Sequence, residues 1–386
     1  MSISPMYPPE VLTRSPDEQL IYYSEEVVVI HPELTTTLDL LDSKANSTLD
    51  RRLILLVGGT GVGKTVAAKL LVKRRAARRV EEVRLRPELV PSIFIEAEPP
   101  DRGDFDFTTL YREGLAAMNA VLVERTMPVL ERKTRDGTLV TLAIEGARKR
   151  IDGVGLKLRF KGELISREVE LVAIDEAICL FKTGTSKSEK QRMLTLKDQS
   201  DKLKTFTNKT PASILLAGAF DFFDLATTTG QLGRRSLIVL MSPYPMTDVG
   251  LKGFGIALVG LIGHLPIAHD LRVEDSAAEI FLQSLGCVGI AKGILSAALL
   301  LSLRSGTLLT IGTVRLCYYP AVTLKVMSEE MEAGMRAVRT ATSLSALASK
   351  AEAAPAEPSD PDRPPARPLK PGETKPSHRG DAANAW

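Results

Sequence analysis

The chain has 386 residues, 44% of them hydrophobic, enough for more than one packing unit and a sizeable core, which excludes a wholly disordered protein. Its 50 Lys and Arg against 47 Asp and Glu leave no global bias toward nucleic acid or acidic lipid, so any basic surface is local. Three widely spaced cysteines, Cys179, Cys287 and Cys317, make no CxxC pair and argue for a reducing compartment over a disulfide framework.

Residues 1–30 carry Pro5, Pro8, Pro9 and Pro16 among several acids, without the basic start and apolar run of a secretory signal, and read as an irregular extension of a cytoplasmic protein. From 31 to about 245, apolar strand-like runs alternate with amphipathic segments, which predicts an α/β core with a parallel sheet flanked by helices. From 246 to 345 strand signals fade and Ala, Leu and Gly recur at helical spacing, predicting a helical lid. Its most apolar stretch, Ile294 to Leu303, falls short of the roughly 20 residues needed to span a bilayer, and no membrane association is expected. Residues 346–386 are rich in proline and poor in branched aliphatics, the composition of a disordered tail.

Residues 58–65, "GGTGVGKT", satisfy G-x-x-x-x-G-K-[ST], preceded by the apolar run Leu53 to Val57 and followed by the helical "KTVAAKLLVKRR". A strand turning through glycines into a helix points backbone N–H groups into one concavity, where the helix N-terminus adds partial positive charge. Gly58, Gly59, Thr60, Gly61, Val62 and Gly63 would cradle the phosphates of ATP, Lys64 would reach the β and γ phosphates, and Thr65 would take a Mg2+ position. The helix-borne run Lys69 to Arg79 reads as a solvated face. Further on, "VELVAIDEA" places Asp175 where the chain leaves a buried strand, to hold Mg2+, and Glu176 next to it as general base toward the attacking water.

The interval between Lys64 and Asp175 leaves room for an inserted segment at about 125–165. It contains "LERKTRDGTLVTLAIEGARKR", in which Thr138 to Arg150 would form one helix. Arg132, Lys133 and Arg135 lie before it, and Arg148, Lys149 and Arg150 at its end. Both clusters are candidates for phosphate contacts to double-stranded DNA; the second is equally explained as cations at a helix C-terminus. After a helical stretch at 187–207 and the apolar "SILLAGAF", Arg234 and Arg235 precede another strand-like run. They are either solvated surface arginines or a finger toward the γ-phosphate of a neighbouring subunit. His264 and His269 lack partners at ligand spacing, and no structural metal is expected.

With the phosphate loop, "AIDEA", "LLAGAFDFFDLA" and "GQLGRRS" in this order, the chain resembles an AAA+ ATPase, and more narrowly the TnsC and TniB family of transposition regulators. The lead-in "VVVIHPELTTTLDLLDSKANSTLDRRLILLVGGTGVGKT", with His-Pro ahead of a short helix, is similar to that family's. The resemblance covers about residues 25–300. It implies a P-loop AAA+ core with a C-terminal helical lid, assembling with ATP on DNA as rings or helical filaments, recruiting a transposase and receiving target information from a selector protein. It matches Lys64 and Thr65 to the nucleotide-contacting pair, Asp175 and Glu176 to the hydrolytic pair, and Arg235, or Arg234, to the finger. Lys292 falls at the lid's nucleotide-sensing position, where an ordinary exposed helix lysine is the other reading. Ala219 stands where that family carries a polar sensor residue, which implies slow hydrolysis unless Asp221 or another group substitutes. A nucleotide-gated DNA-binding scaffold, a helicase-loader-type remodeller and, last, a small-molecule kinase are the competing readings.

Overall fold

The computed structural model describes residues 4–46, 53–100, 103–120, 125–126, 129–133, 139–143, 149–150, 153–184, 187–208, 210, 212–223 and 236–342; the side chains of 121–150 and of 204, 207, 208 and 342 lie outside the described set. The chain divides into two units, Met1–Arg339 and Thr340–Trp386.

Five parallel strands make the central sheet: β1 (Leu53–Gly58), β2 (Ser92–Glu96), β7 (Leu171–Asp175), β8 (Ser213–Gly218) and β9 (Ser236–Met241), in the order β2-β7-β8-β1-β9. Every residue of β1, β7 and β8 is buried, as continuous aliphatic runs must be when both faces of a parallel sheet are covered. Alternation divides them between two cores. Ile54, Leu56, Leu171, Ala173, Leu215 and Ala217 join one cluster, and Leu53, Leu55, Val57, Val172, Ile174, Ile214 and Leu216 join the other.

On the first face lie α2 (Pro32–Ala45), α3 (Lys64–Arg78) and the helical region that follows β9; α4 (Val80–Leu85) is a short continuation of α3. The second face is covered by α5 (Phe107–Ala117), α6 (Gly153–Ser166) and α7 (Glu189–Asn208). Thus α6, within the expected insertion, belongs to the core: Leu156, Phe160 and Leu164 are buried, and Phe160 packs against Gly114 of α5 where no β-carbon would fit.

The helix expected over Thr138 to Arg150 is not formed. Val129–Lys133 (β4) pairs antiparallel with Leu139–Ala143 (β5), and Arg125–Thr126 (β3) with Lys149–Arg150 (β6). The physical reason lies in "LVTLA" and "VLERK", whose branched side chains and two-residue alternation favour a pleated hairpin.

The lid comprises α8 (Asp248–Gly263), α9 (Val273–Ser284), α10 (Val288–Ser305) and α11 (Ile311–Leu316). Its apolar residues share the first core cluster with the sheet, so the change from strands to helices near 246 does not divide the core. Helix α10 extends beyond the Ile294 to Leu303 run and is long and apolar enough to cross a membrane by length and composition; here Ile290, Ile294, Leu295, Ala298 and Leu299 are buried in the lid.

The extension expected to be irregular contains α1 (Pro16–Ile21) between two short helical turns at Pro9–Thr13 and Tyr22–Glu26. Ser15 caps α1 by accepting from the Glu18 amide while the Glu18 carboxylate accepts from the Ser15 amide. Tyr23 is fully buried, its hydroxyl donating to the Leu261 carbonyl at 3.2 Å, which pins this segment to α8.

Candidate functional site

The phosphate loop leaves β1 at Gly58 and enters α3 at Lys64. Gly61 and Gly63 have φ of +78° and +107°, a region that side chains with a β-carbon rarely adopt, so glycine is required at both. Gly63 is the N-cap of α3, leaving the first-turn N–H groups of that helix directed into the loop. Lys64 folds back over this loop, its Nζ donating to the carbonyls of Gly58 and Gly59 at 3.0 and 2.8 Å. Burial lowers the pKa of Lys64, and the nearby charges of Asp175 and Glu176 act in the opposite direction. The loop lysine and the acidic pair, far apart in sequence, therefore lie within electrostatic reach of each other.

Asp175 ends β7 and is 3% exposed, with Oδ1 accepting from the Glu176 amide at 3.0 Å. Glu176 has φ +48° and ψ +41°, a left-handed conformation that costs a non-glycine residue about 1–3 kcal/mol and tends to mark functional sites. Strand β8 lies between β7 and β1, so its carboxyl end points at the gap between acidic pair and phosphate loop. Ala219 is half-buried there, and Asp221 is exposed on the helical turn that follows. Thr65 and Asp175 offer a hydroxyl and a carboxylate, the hard oxygen donors that Mg2+ takes.

Beside the loop is a small cleft of about 70 Å³. Val27 to Val29 and His31 line it from the N-terminal side, Val62, Gly63 and Val66 from the loop and α3, and Val288, Gly289 and Lys292 from α10. The Gly289 amide donates to the Gly61 carbonyl at 2.9 Å, fixing the start of α10 on the loop. The cleft is lined mainly by aliphatic side chains and adjoins the loop through Val62 and Gly63. Lys292, considered for nucleotide sensing, donates from Nζ to the carbonyls of Ser24 and Val27, both at 2.8 Å, and so ties the N-terminal segment to the lid.

His31 went unassigned in the sequence beyond its place in the His-Pro lead-in. It is the N-cap of α2: Nδ1 accepts from the Leu34 amide at 3.3 Å and from the Tyr244 hydroxyl at 2.9 Å, while that hydroxyl accepts from the Glu33 amide. With Nδ1 an acceptor, the neutral ring carries its hydrogen on Nε2. Burial lowers the His31 pKa to about 4. The unfolded chain, with a pKa near 6.5, therefore binds a proton that the folded chain refuses, and stability present above pH 6.5 is lost as pH falls toward 4. The expected loss is about 3 kcal/mol. His31→Asn keeps a capping side chain without the titration. Urea denaturation at pH 7 and pH 4.5 should show a smaller acid destabilisation in this variant than in the wild type.

Of the remaining predicted residues, Arg132 and Lys133 lie on β4, and Lys149 and Arg150 on β6, as backbone positions. Arg135, Arg148, Arg234 and Arg235 lie outside the described residues. The run Lys69 to Arg79 is less solvated than expected. Arg75 is buried and pairs with Asp42 of α2 at 3.0 Å, Arg78 pairs with the same carboxylate, and Arg79 binds Glu82, Glu168 and Glu170.

No family model matches the chain, and no curated protein matches it. Among solved structures it is similar to the ORC2 protein of Aeropyrum pernix, with TM-score 0.48 and 13% identity over 80% of this chain and 71% of that one. A Walker-type ATPase of Pyrococcus abyssi gives 0.44 and 18% over 81% of this chain and 77% of that one. Domain III of the Thermotoga maritima replication initiation protein DnaA gives 0.43 and 13% over 77% of this chain and 95% of that one. All three scores are below 0.5, and the functional reading rests on the chain's own residues.

Proposed function

We propose that the chain is an AAA+ ATPase that assembles with ATP and Mg2+ on double-stranded DNA and recruits or activates a transposase, with slow hydrolysis dismantling the assembly. One observation supports the nucleotide part above all: β1, which runs into the loop of residues 58–65, and β7, which ends in Asp175 and Glu176, flank β8 in one parallel sheet and end at the same edge of it. The loop amides and Lys64 hold the β and γ phosphates, and Glu176 orients and deprotonates the attacking water. Thr65 and Asp175 would hold Mg2+, which supplies neutralisation of phosphate charge when bound. The cleft lined by Val28, Val66 and His31 adjoins the loop and would be the place for the base.

The finer assignment, to DNA and transposition, is supported by the sequence resemblance and by the local basic runs at 132–135 and 148–150. Electron microscopy with duplex DNA and a non-hydrolysable ATP analogue tests it. Rings or filaments on DNA that need the analogue are expected; naked DNA beside unassembled protein would overturn the reading. Ala219 favours a second reading, a nucleotide-gated scaffold with little turnover. ATP turnover with and without duplex DNA separates the two, since a scaffold binds both ligands and hydrolyses nothing.

A further inference from the structure

The last described helix, α12 (Ala321–Thr342), follows Pro320 and lies on the phosphate loop. Met331 is 6% exposed, and a β-carbon added at Gly59 would lie 2.8 Å from its Cε. Its Sδ is 3.9 Å from Sγ of Cys287 at the start of α10. Nearly one turn on, Gly334 rests so closely on the Phe220 ring that a β-carbon would clash with it, and Val338 is 2% exposed in the second core cluster. Val57 of β1 and Gly218 of β8 are register partners; Gly59 and Phe220 each lie two residues beyond them. Helix α12 therefore bridges the carboxyl ends of these adjacent strands, between loop and acidic pair, the side on which a γ-phosphate and its attacking water would sit. Methionine is an adaptable, unbranched packing residue, suited to a contact that forms and releases.

We propose that α12 is a self-docked cap on the phosphate edge, whose packing competes with loading of a nucleoside triphosphate. This rests on the nucleotide-site reading above. A diphosphate reaches less far toward Phe220 and Met331, so the cap discriminates against the triphosphate in particular. ATP must lift the helix, which uncovers the edge that a second subunit would need to approach.

The test measures affinities of the full chain for ADP and a non-hydrolysable ATP analogue in wild type, Met331→Ala and Gly334→Ala, with Lys64→Ala as control. Both α12 variants loosen the cap, the first by removing the buried side chain and the second by adding a β-carbon against Phe220. Because apparent affinity scales with the uncapped fraction, the analogue should bind roughly tenfold tighter to both variants, and ADP by less than about threefold. Hydrogen exchange in wild type, which needs no variant to fold, should show residues 325–339 losing protection with the analogue and keeping it with ADP. Unchanged analogue affinity in both folded variants, or α12 amides equally protected with and without the analogue, would overturn the cap while leaving nucleotide binding intact. If wild type and α12 variants bind neither nucleotide better than Lys64→Ala does, the underlying nucleotide reading fails instead.

Discussion

Glu176→Gln should bind ATP as tightly as wild type and hydrolyse it at least about 100-fold more slowly, the usual contribution of a positioned general base. The substitution preserves side-chain size and leaves Asp175 and Lys64 in place, so it removes the carboxylate's charge and its proton acceptance with little change in packing. The backbone at Glu176 is left-handed with φ +48°, and its amide is held by the Asp175 carboxylate, so the side chain is aimed by a conformation that the fold maintains at a cost. With turnover blocked, the ATP-bound form should accumulate and any assembly on DNA should persist. A phosphate-release assay beside a binding titration checks both halves. Normal turnover in Glu176→Gln would remove this residue from the chemistry.

Asp42→Ala should cost about 3–5 kcal/mol of stability, among the largest effects of any single change away from the site. Asp42 is buried and faces the guanidinium groups of both Arg75 and Arg78, and Arg75 is itself buried and also approaches Glu170 at 3.6 Å. Removing the carboxylate leaves the buried Arg75 cation with only the longer contact to the half-exposed Glu170, whereas replacing Asp42 and Arg75 together with apolar residues of similar volume removes both desolvation costs. Urea denaturation should therefore find the pair Asp42→Leu with Arg75→Met much less destabilised than Asp42→Ala alone. Equal losses would mean that packing, not the unpaired charge, dominates.

The parallel sheet was legible because β1, β7 and β8 carry continuous aliphatic runs, as strands covered on both faces do. The glycine-rich turn from β1 into α3 was legible because its four glycines and Lys64 fall within one run of seven residues. The place of Asp175 and Glu176 at the end of a buried strand was legible because an apolar run closing on two carboxylates is a local pattern. What escaped is non-local. The partners that desolvate and pair Arg75 and Arg79 come from α2 and from the turn before β7, and nothing in "KLLVKRRAARR" announces them. Tyr244, whose hydroxyl is hydrogen-bonded to Nδ1 of His31, is likewise distant in sequence. Met331 over Gly59 joins the two ends of the described chain's core, a contact that no period or motif encodes. Two elements that depart from expectation carry local signals. Ser15-Pro16-Asp17-Glu18 is a capping box with proline at the first helical position, and the alternation in "TLVTLA" favours strand over helix.

The most direct measurement is calorimetric titration of Mg2+ and ATP into the wild-type chain and into Lys64→Ala. Saturable binding of one nucleotide per chain is expected in the wild type, weakened at least about 100-fold when the charge-assisted contacts of Lys64 to the phosphates are lost. No binding by the wild type, or equal affinity in Lys64→Ala, would contradict the assignment of residues 58–65 as the seat of ATP.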